Sequence, residues 1–212
     1  MIPHATDGLT LRRTRPEDGE AVAALQPLAF PPPFDPGYHW RARHIRAHTE
    51  NFPAGQYVVE DEGRVIASSS NVLLNEETWT EHARTGAHPY SVDFSPPEGS
   101  ATTLYGADIA VHPEYRRRGV ARMIYTARYA LVRELGLIRY GTACRMPDYA
   151  AQNHGLSPRD YAAAVVEGTV IDRTMTPLLR QGLTFLNVVP STWPDIESGQ
   201  TSRSYSVRLF LV

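Results

Sequence analysis

The chain holds one cysteine, Cys144, in 212 residues. A single thiol excludes an internal disulfide framework and fits a reducing compartment. No apolar run approaches the length of a membrane-spanning helix, and the first residues lack the apolar segment of a secretory signal. A cytoplasmic location without a membrane partner is the expectation. An excess of one charge is also missing: 21 basic against 23 acidic residues leave a formal net charge of −2. Without a global basic field, nucleic acid is not expected as a partner. There are no internal repeats and no low-complexity tracts. His44 and His48 stand one helical turn apart, but no acid lies between them as in H-E-x-x-H and no third ligand is evident. No metal is expected.

What the chain does have is enough apolar residue, 42%, for one core, and 17 prolines that punctuate it. The prolines cluster at Pro31 to Pro33, Pro36, Pro96-Pro97 and Pro190 to Pro194, and so mark loops. Leu9 to Arg13 alternates as a short strand. Thr14, Pro16 and the acids after it start a helix that runs to about Leu28, with Ala21, Val22, Leu25 and Leu28 on one face. A second helix is expected over about Tyr38 to Asn51. Gly55 to Glu60 and Val65 to Leu74 read as adjacent antiparallel strands about a turn at Asp61-Glu62-Gly63. Leu104 to Val111 is a strand and Val120 to Leu135 a helix, its stripe formed by Val120, Ile124, Ala127, Leu131 and Leu135. Ile138 to Met146 is the next strand. Thr174 to Gln181 is helical and stops at Gly182; strands follow at Leu183 to Val189 and Ser204 to Val212. Two stretches have no clear period, about 75–101 (with Trp79, His82 and His88) and 147–170, where a short helix starts at Ser157-Pro158. Both read as ordered insertions in a single domain over 1–212.

Between strand and helix the chain reads Val111-His-Pro-Glu-Tyr-Arg-Arg-Arg-Gly-Val-Ala121. The first turn of a helix has N–H groups without partners, and the helix dipole adds positive charge there. Gly119 allows an anion close to the backbone, and Arg116, Arg117 and Arg118 add forked donors. The combination is suited to pyrophosphate.

Arg116-x-x-Gly119-x-Ala121, preceded by Ile109-Ala-Val111-His-Pro113, resembles the acyl-CoA signature of the GNAT N-acetyltransferase superfamily, written Q/R-x-x-G-x-G/A. The element order is also similar to that family's mixed α/β fold, a mostly antiparallel sheet flanked by helices, with a splayed parallel strand pair. Phe52 to Gln56, Leu104-Tyr-Gly106, Arg145-Met-Pro147, Tyr149, Tyr161 through Gly168 and Asp172 resemble the GNAT domains fused to nitrilase-type carbon–nitrogen hydrolases. The resemblance implies an N-acetyltransferase that moves an acetyl group from acetyl-CoA to an amine of a small molecule or protein. The other reading is an acyl-CoA-binding sensor or partner module, and a homodimer stays open.

On that resemblance Ile109, Ala110 and Val111 offer backbone groups to the pantetheine arm, and the amides of Arg116, Arg117, Arg118, Gly119, Val120 and Ala121 hold the pyrophosphate. The family's usual acid, a tyrosine before Gly182-Leu183, is replaced by Leu178. Tyr149 or Tyr161 stands in for it, or the thiolate leaves unaided. Asp108 is a candidate base, with a structural role in the sheet as the alternative; alternation puts it opposite Val111. Tyr105 is a candidate for contact with substrate, on the face of Val111 by the same alternation. Phe34, Tyr38 and Trp40 either wall an acceptor pocket or plug the core beneath their loop, and Asp35 is placed to pair with an amine. Cys144 reads as a small buried residue.

Overall fold

The computed structural model describes residues 8–85, 91–190, 195–200 and 203–211. His88, Pro194 and Val212 lie outside the described residues.

Strand β1 (Leu9–Arg13) pairs antiparallel with β2 (Tyr57–Asp61), and β2 with β3 (Arg64–Leu74). Glu62 and Gly63 join them with φ of 48° and 82°, the left-handed pair of a tight hairpin turn. β3 pairs antiparallel with β4 (Thr103–Val111), and β4 runs parallel to β5 (Arg139–Arg145). Strand β8 (Arg203–Leu211) pairs with β5, and β6 (Thr184–Pro190) closes the far edge. The sheet order is thus β1-β2-β3-β4-β5-β8-β6, and the short β7 (Gly199–Gln200) pairs with the start of β8.

One face of the sheet carries α1 (Gly19–Ala29), α2 (Ala42–Asn51) and α3 (Glu76–Thr85). The other carries α4 (Val120–Glu134), α6 (Pro158–Glu167) and α7 (Met175–Arg180), with the single-turn α5 (Tyr149–Gln152) after β5. Alternation divides the strands between two cores: Tyr57 and Val59 join the α4 side, whereas Val58 packs with Val22 of α1 and Ile45 of α2.

Helix α4 docks through Val120, Met123, Ile124, Ala127 and Leu131. Each of these side chains but Ala127 contributes about 1.5–3 kcal/mol by leaving water. Leu135, expected to extend this stripe, is instead 42% exposed. The helix ends in a Schellman motif: Gly136 takes φ 63° and the Leu137 N–H donates to the Val132 carbonyl at 3.0 Å. That reversal sends Leu137 into the core in place of Leu135. On α1, Leu28 is exposed and Gln26 buried, so the expected stripe is off by one polar residue.

Helix α2 starts later than the sequence suggests. Pro36–Tyr38 forms a separate 3-10 turn capped by Asp35, whose carboxylate accepts the Gly37 N–H at 2.7 Å. Residues 39 and 41 are extended, and α2 begins at Ala42, with the Arg41 N–H donating to the His44 ring at 3.1 Å.

Both aperiodic stretches build core. In the first, Asn75 caps α3 by accepting the Thr78 N–H at 2.8 Å. Trp79, His82 and Phe94 are buried there with Val72, Leu74 and Tyr105. In the second, Tyr161, Ala162 and Val165 of α6 join the main core.

Candidate active site

The parallel ladder between β4 and β5 is short. It runs from Thr103 opposite Arg139 to Gly106 opposite Thr142, and stops. β4 continues to Val111 beside β3, and β5 to Arg145 beside β8, so the sheet opens between them. Two side chains finish the ladder where its backbone bonds end. Thr142 Oγ1 donates to the Gly106 carbonyl at 2.8 Å, and the Ala143 N–H donates to the Tyr105 hydroxyl at 3.1 Å.

A β-bulge lies at the opening. Ser70 pairs with Asp108 and Asn71 with Gly106, which leaves Ala107 as the extra residue. The bulge shifts the alternation of β4, and this corrects one expectation. Tyr105 does not share the face of Val111. It sits with Trp79 and Phe94 on the α3 side, whereas Val111 packs against the α4-side core. Tyr105 is 4% exposed and its hydroxyl also meets His82 Nε2 at 3.2 Å.

Asp108 lies beyond the bulge on the α1 side, where it accepts a hydrogen bond from Gln26 Nε2 at 3.1 Å. It is opposite Val111, as alternation predicts. Burial pushes its carboxyl up to about 6, against the Gln26 hydrogen bond and the positive Arg128, which pull it down. A carboxylate near that value can accept a proton at neutral pH.

Arg128 of α4 is the site residue that sequence reading missed. It is 1% exposed and lies at the apex of the opening. Its Nη atoms donate to the Asp108 carbonyl at 2.7 Å, the Tyr140 hydroxyl at 2.7 Å and the Ser70 carbonyl at 3.4 Å; Nε donates to Ser69 Oγ at 3.1 Å. A signal was present: a basic residue on the inward stripe of an amphipathic helix, between Ala127 and Leu131. Gln26, inward on α1, is the same kind of signal.

Below the opening, Val111 leads through the 3-10 turn Pro113–Tyr115 to the arginine loop. Arg117 and Gly119 both adopt left-handed φ, 62° and 81°, and Gly119 caps α4. A Cβ built on Gly119 would meet no atom within 4 Å, so the space over the helix N-terminus is open. That opening fits a pyrophosphate held by amides of the first turn. Arg116 Nη2 donates to the Ala29 carbonyl at 2.9 Å, tying the loop to the end of α1, and Arg118 lies over the Tyr115 ring at 4.8 Å. Ile109 and Val111 are partly buried, Ala110 is fully buried, and Val120 starts the core stripe of α4 while Ala121 is exposed.

The loop between α1 and α2 covers the far side of the opening. Phe34 stacks on His39, with centroids 5.5 Å apart, and receives the Arg145 guanidinium at 4.9 Å. Arg145 itself is held by Asp195 and Glu197. Tyr38 is 45% exposed, edge-on to Phe34. Trp40 is drawn inward against His48 and Phe94, so it plugs the seam between the two smaller cores. Asp35 is spent on its turn.

The tyrosines expected near the thiol are engaged. Tyr149 donates to the Leu156 carbonyl at 3.1 Å and Tyr161 to Asp172 at 3.2 Å. Leu178 packs against the α4-side core. Burial pushes the Cys144 thiol well above its ordinary value, and the Asp172 charge acts in the same direction, which disfavours the thiolate. His48 Nε2 donates to the Val92 carbonyl at 2.8 Å, and His44 serves its cap. Among the described residues no group of three or more His, Cys, Asp or Glu is disposed to hold a metal ion. No helix among them is long and apolar enough to cross a membrane.

A sheet opened beside a left-handed turn at a helix head is the arrangement of the GNAT acyltransferases. The chain belongs to the GNAT acetyltransferase family: the model of the Acetyltransferase (GNAT) family matches residues 19–154. It is 31% identical over 198 residues to the uncharacterized N-acetyltransferase YkwB of Bacillus subtilis (strain 168), covering 91% of this chain and 85% of that protein. It is 29% identical over 193 residues to the probable hydrolase YhcX of the same organism, covering 88% of this chain but only 36% of YhcX. Among solved structures, the GphF GNAT-like decarboxylase in complex with isobutyryl-CoA has the same fold. The TM-score is 0.71 at 19% identity, over 95% of this chain and 97% of that one.

Proposed function

We propose that this chain transfers the acetyl group of acetyl-CoA to an amine on a small molecule or protein. One observation carries the reading. The β4–β5 ladder ends at Gly106 and Thr142, and β4 then runs on, unpaired on its β5 side, to the left-handed turn that heads α4. An extended amide-bearing arm can complete that edge as an added strand would, with Ile109, Ala110 and Val111 as its partners. The amides of residues 116–121 would take the pyrophosphate, and Arg117 adds exposed charge there.

Acetyl-CoA supplies the acyl group already activated as a thioester. The work left to the chain is to orient it and to take a proton from the incoming ammonium. Asp108 is the group for that, directly or through one water. An N–H near Val111 would polarise the thioester carbonyl. Tyr105 would act on this reaction by holding β5 at the opening, because its hydroxyl is committed to Ala143 and His82. Tyr149 would have to release the Leu156 carbonyl to serve as the acid. Phe34 and Tyr38 flank the acceptor side.

Calorimetric titration with acetyl-CoA tests the reading. Micromolar binding is expected, weakened about 100-fold, or roughly 2.7 kcal/mol, by Gly119→Glu, which places negative charge at the helix head. Thiol release with a panel of amines then reads turnover. Binding without turnover on any amine would leave an acyl-CoA-binding module, and no binding would end the proposal.

A further inference from the structure

Among the described residues two arginines are buried, and they are held differently. Arg208 lies over the Trp79 ring at 4.1 Å and donates to the Trp79 carbonyl at 3.1 Å, which pins α3 to the sheet. Arg128 also lies near aromatic rings, Tyr125 at 5.1 Å and Tyr140 at 5.4 Å, but its hydrogen bonds reach three strands rather than one helix. Its acceptors are two backbone carbonyls and two hydroxyls, all neutral. Burying a guanidinium whose hydrogen-bond acceptors are all neutral is costly, and an apolar residue at this inward position of α4 would cost nothing of the kind.

The acceptors explain the cost. Ser69 and Ser70 belong to β3, the Asp108 carbonyl to β4, and the Tyr140 hydroxyl to β5. One planar fork therefore spans three adjacent strands at the point where the bulge breaks their ladder. The strand between them makes room: a Cβ on Gly106 would collide with the Tyr140 hydroxyl and come within 3.0 Å of Arg128 Nη1. The guanidinium grips the backbone of Asp108, the residue whose side chain emerges on the opposite face towards Gln26.

We propose that Arg128 is the positioning residue of the transfer step: it fixes the β4 bulge, so that the open edge at Ile109–Val111 and the Asp108 carboxyl are presented together. This rests on the acetyl-transfer reading given above. Two consequences follow from the chemistry of the fork. Its geometry sets where Asp108 stands, and its charge favours the ionised carboxylate. Among the described residues, Arg128 is the charged group acting on Asp108; α1 presents neutral Gln26, and β4 itself the Ile109 N–H. Tyr140 stays neutral beside it, because burial pushes its hydroxyl up.

Arg128→Lys and Arg128→Met separate the two. Lysine keeps the charge and loses the fork. For Arg128→Lys we expect turnover of the acceptor amine to fall about 30-fold with acetyl-CoA affinity within about 3-fold, and the acidic limb of the pH profile unmoved. For Arg128→Met the limb moves up by about one pH unit as well. Should the methionine variant fail to fold, Tyr140→Phe, which removes one acceptor and leaves the cation, is expected to lower turnover about 5-fold with the limb in place. A direct readout needs no turnover: the Asp108 carboxyl, followed by carbon NMR, titrates higher in Arg128→Met than in the wild-type protein. Wild-type protein that turns over no amine would overturn the transfer reading alone. Arg128 variants with wild-type turnover, or an Asp108 titration that does not move in Arg128→Met, would overturn the positioning role.

Discussion

Asp108 is where residue chemistry and stability meet. Its carboxyl titrates near 6 in the fold against 3.8 as an ordinary aspartate. A group whose folded value is raised weakens the fold as pH climbs through that window, because ionisation then favours the unfolded chain. Asp108→Asn is therefore expected to be more stable than wild type at pH 8, by about 3 kcal/mol, with most of the gain gone at pH 4. Turnover should drop about 100-fold in the same variant. Chemical denaturation at both pH values and a rate assay check this; a variant less stable at pH 8 would contradict it. His48 has the opposite sign. It stacks on Phe94 at 3.6 Å, and burial pushes its ring down from 6.5 to about 4. The unfolded chain takes up a proton that the folded ring refuses, so stability is present above pH 6.5 and is lost as pH falls towards 4. Replacing it by His48→Phe should flatten the fall in stability between pH 6.5 and 5, read as melting midpoint against pH. Asp108 stood out in the sequence as an acid on the strand that leads into the loop motif. Arg128 and Gln26 were not singled out, because a polar residue on an inward stripe reads as a flaw in the pattern until its partners on other strands are known.

At the scale of elements, the bulge at Ala107 decides which face each β4 side chain meets, and it cannot be read from a period-2 pattern. It moved Tyr105 from the expected face of Val111 to the α3 side. Gly106 is the sequence trace of the crowding beside it. Gly106→Ala is expected to cost about 2–3 kcal/mol through collision with the Tyr140 hydroxyl. Adding Tyr140→Phe should recover part of that cost, so the pair will not be additive; strict additivity in denaturant melts would argue against the contact. Helix α3 was missed for another reason. Its sequence is polar and only Trp79 and His82 face inward, three residues apart. The cap at Asn75 and the acids Glu76 and Glu77 were the available signal. The start of α2 slipped because the Asp35 turn and the His44 cap interrupt what looked like one continuous helix.

For the whole molecule, the order of strands and helices was legible nearly from end to end, since the apolar runs of the strands are set off by turn residues and α4 carries a strong stripe. The two aperiodic stretches were legible only as ordered. They complete the core on both faces, through Trp79 and Phe94 on one and Tyr161 on the other, and such long-range packing leaves no local period. The site draws on the same logic. A strand edge freed by the bulge, a helix head opened by Gly119, and a loop pinned by Arg145 on Phe34 surround one gap in one sheet. Hydrogen exchange with and without acetyl-CoA tests that account most directly. It predicts added protection of the amides of Ala107–Val111 and of Gly119–Arg122, with little change on β1 and β2. Binding with protection confined to other elements would contradict it.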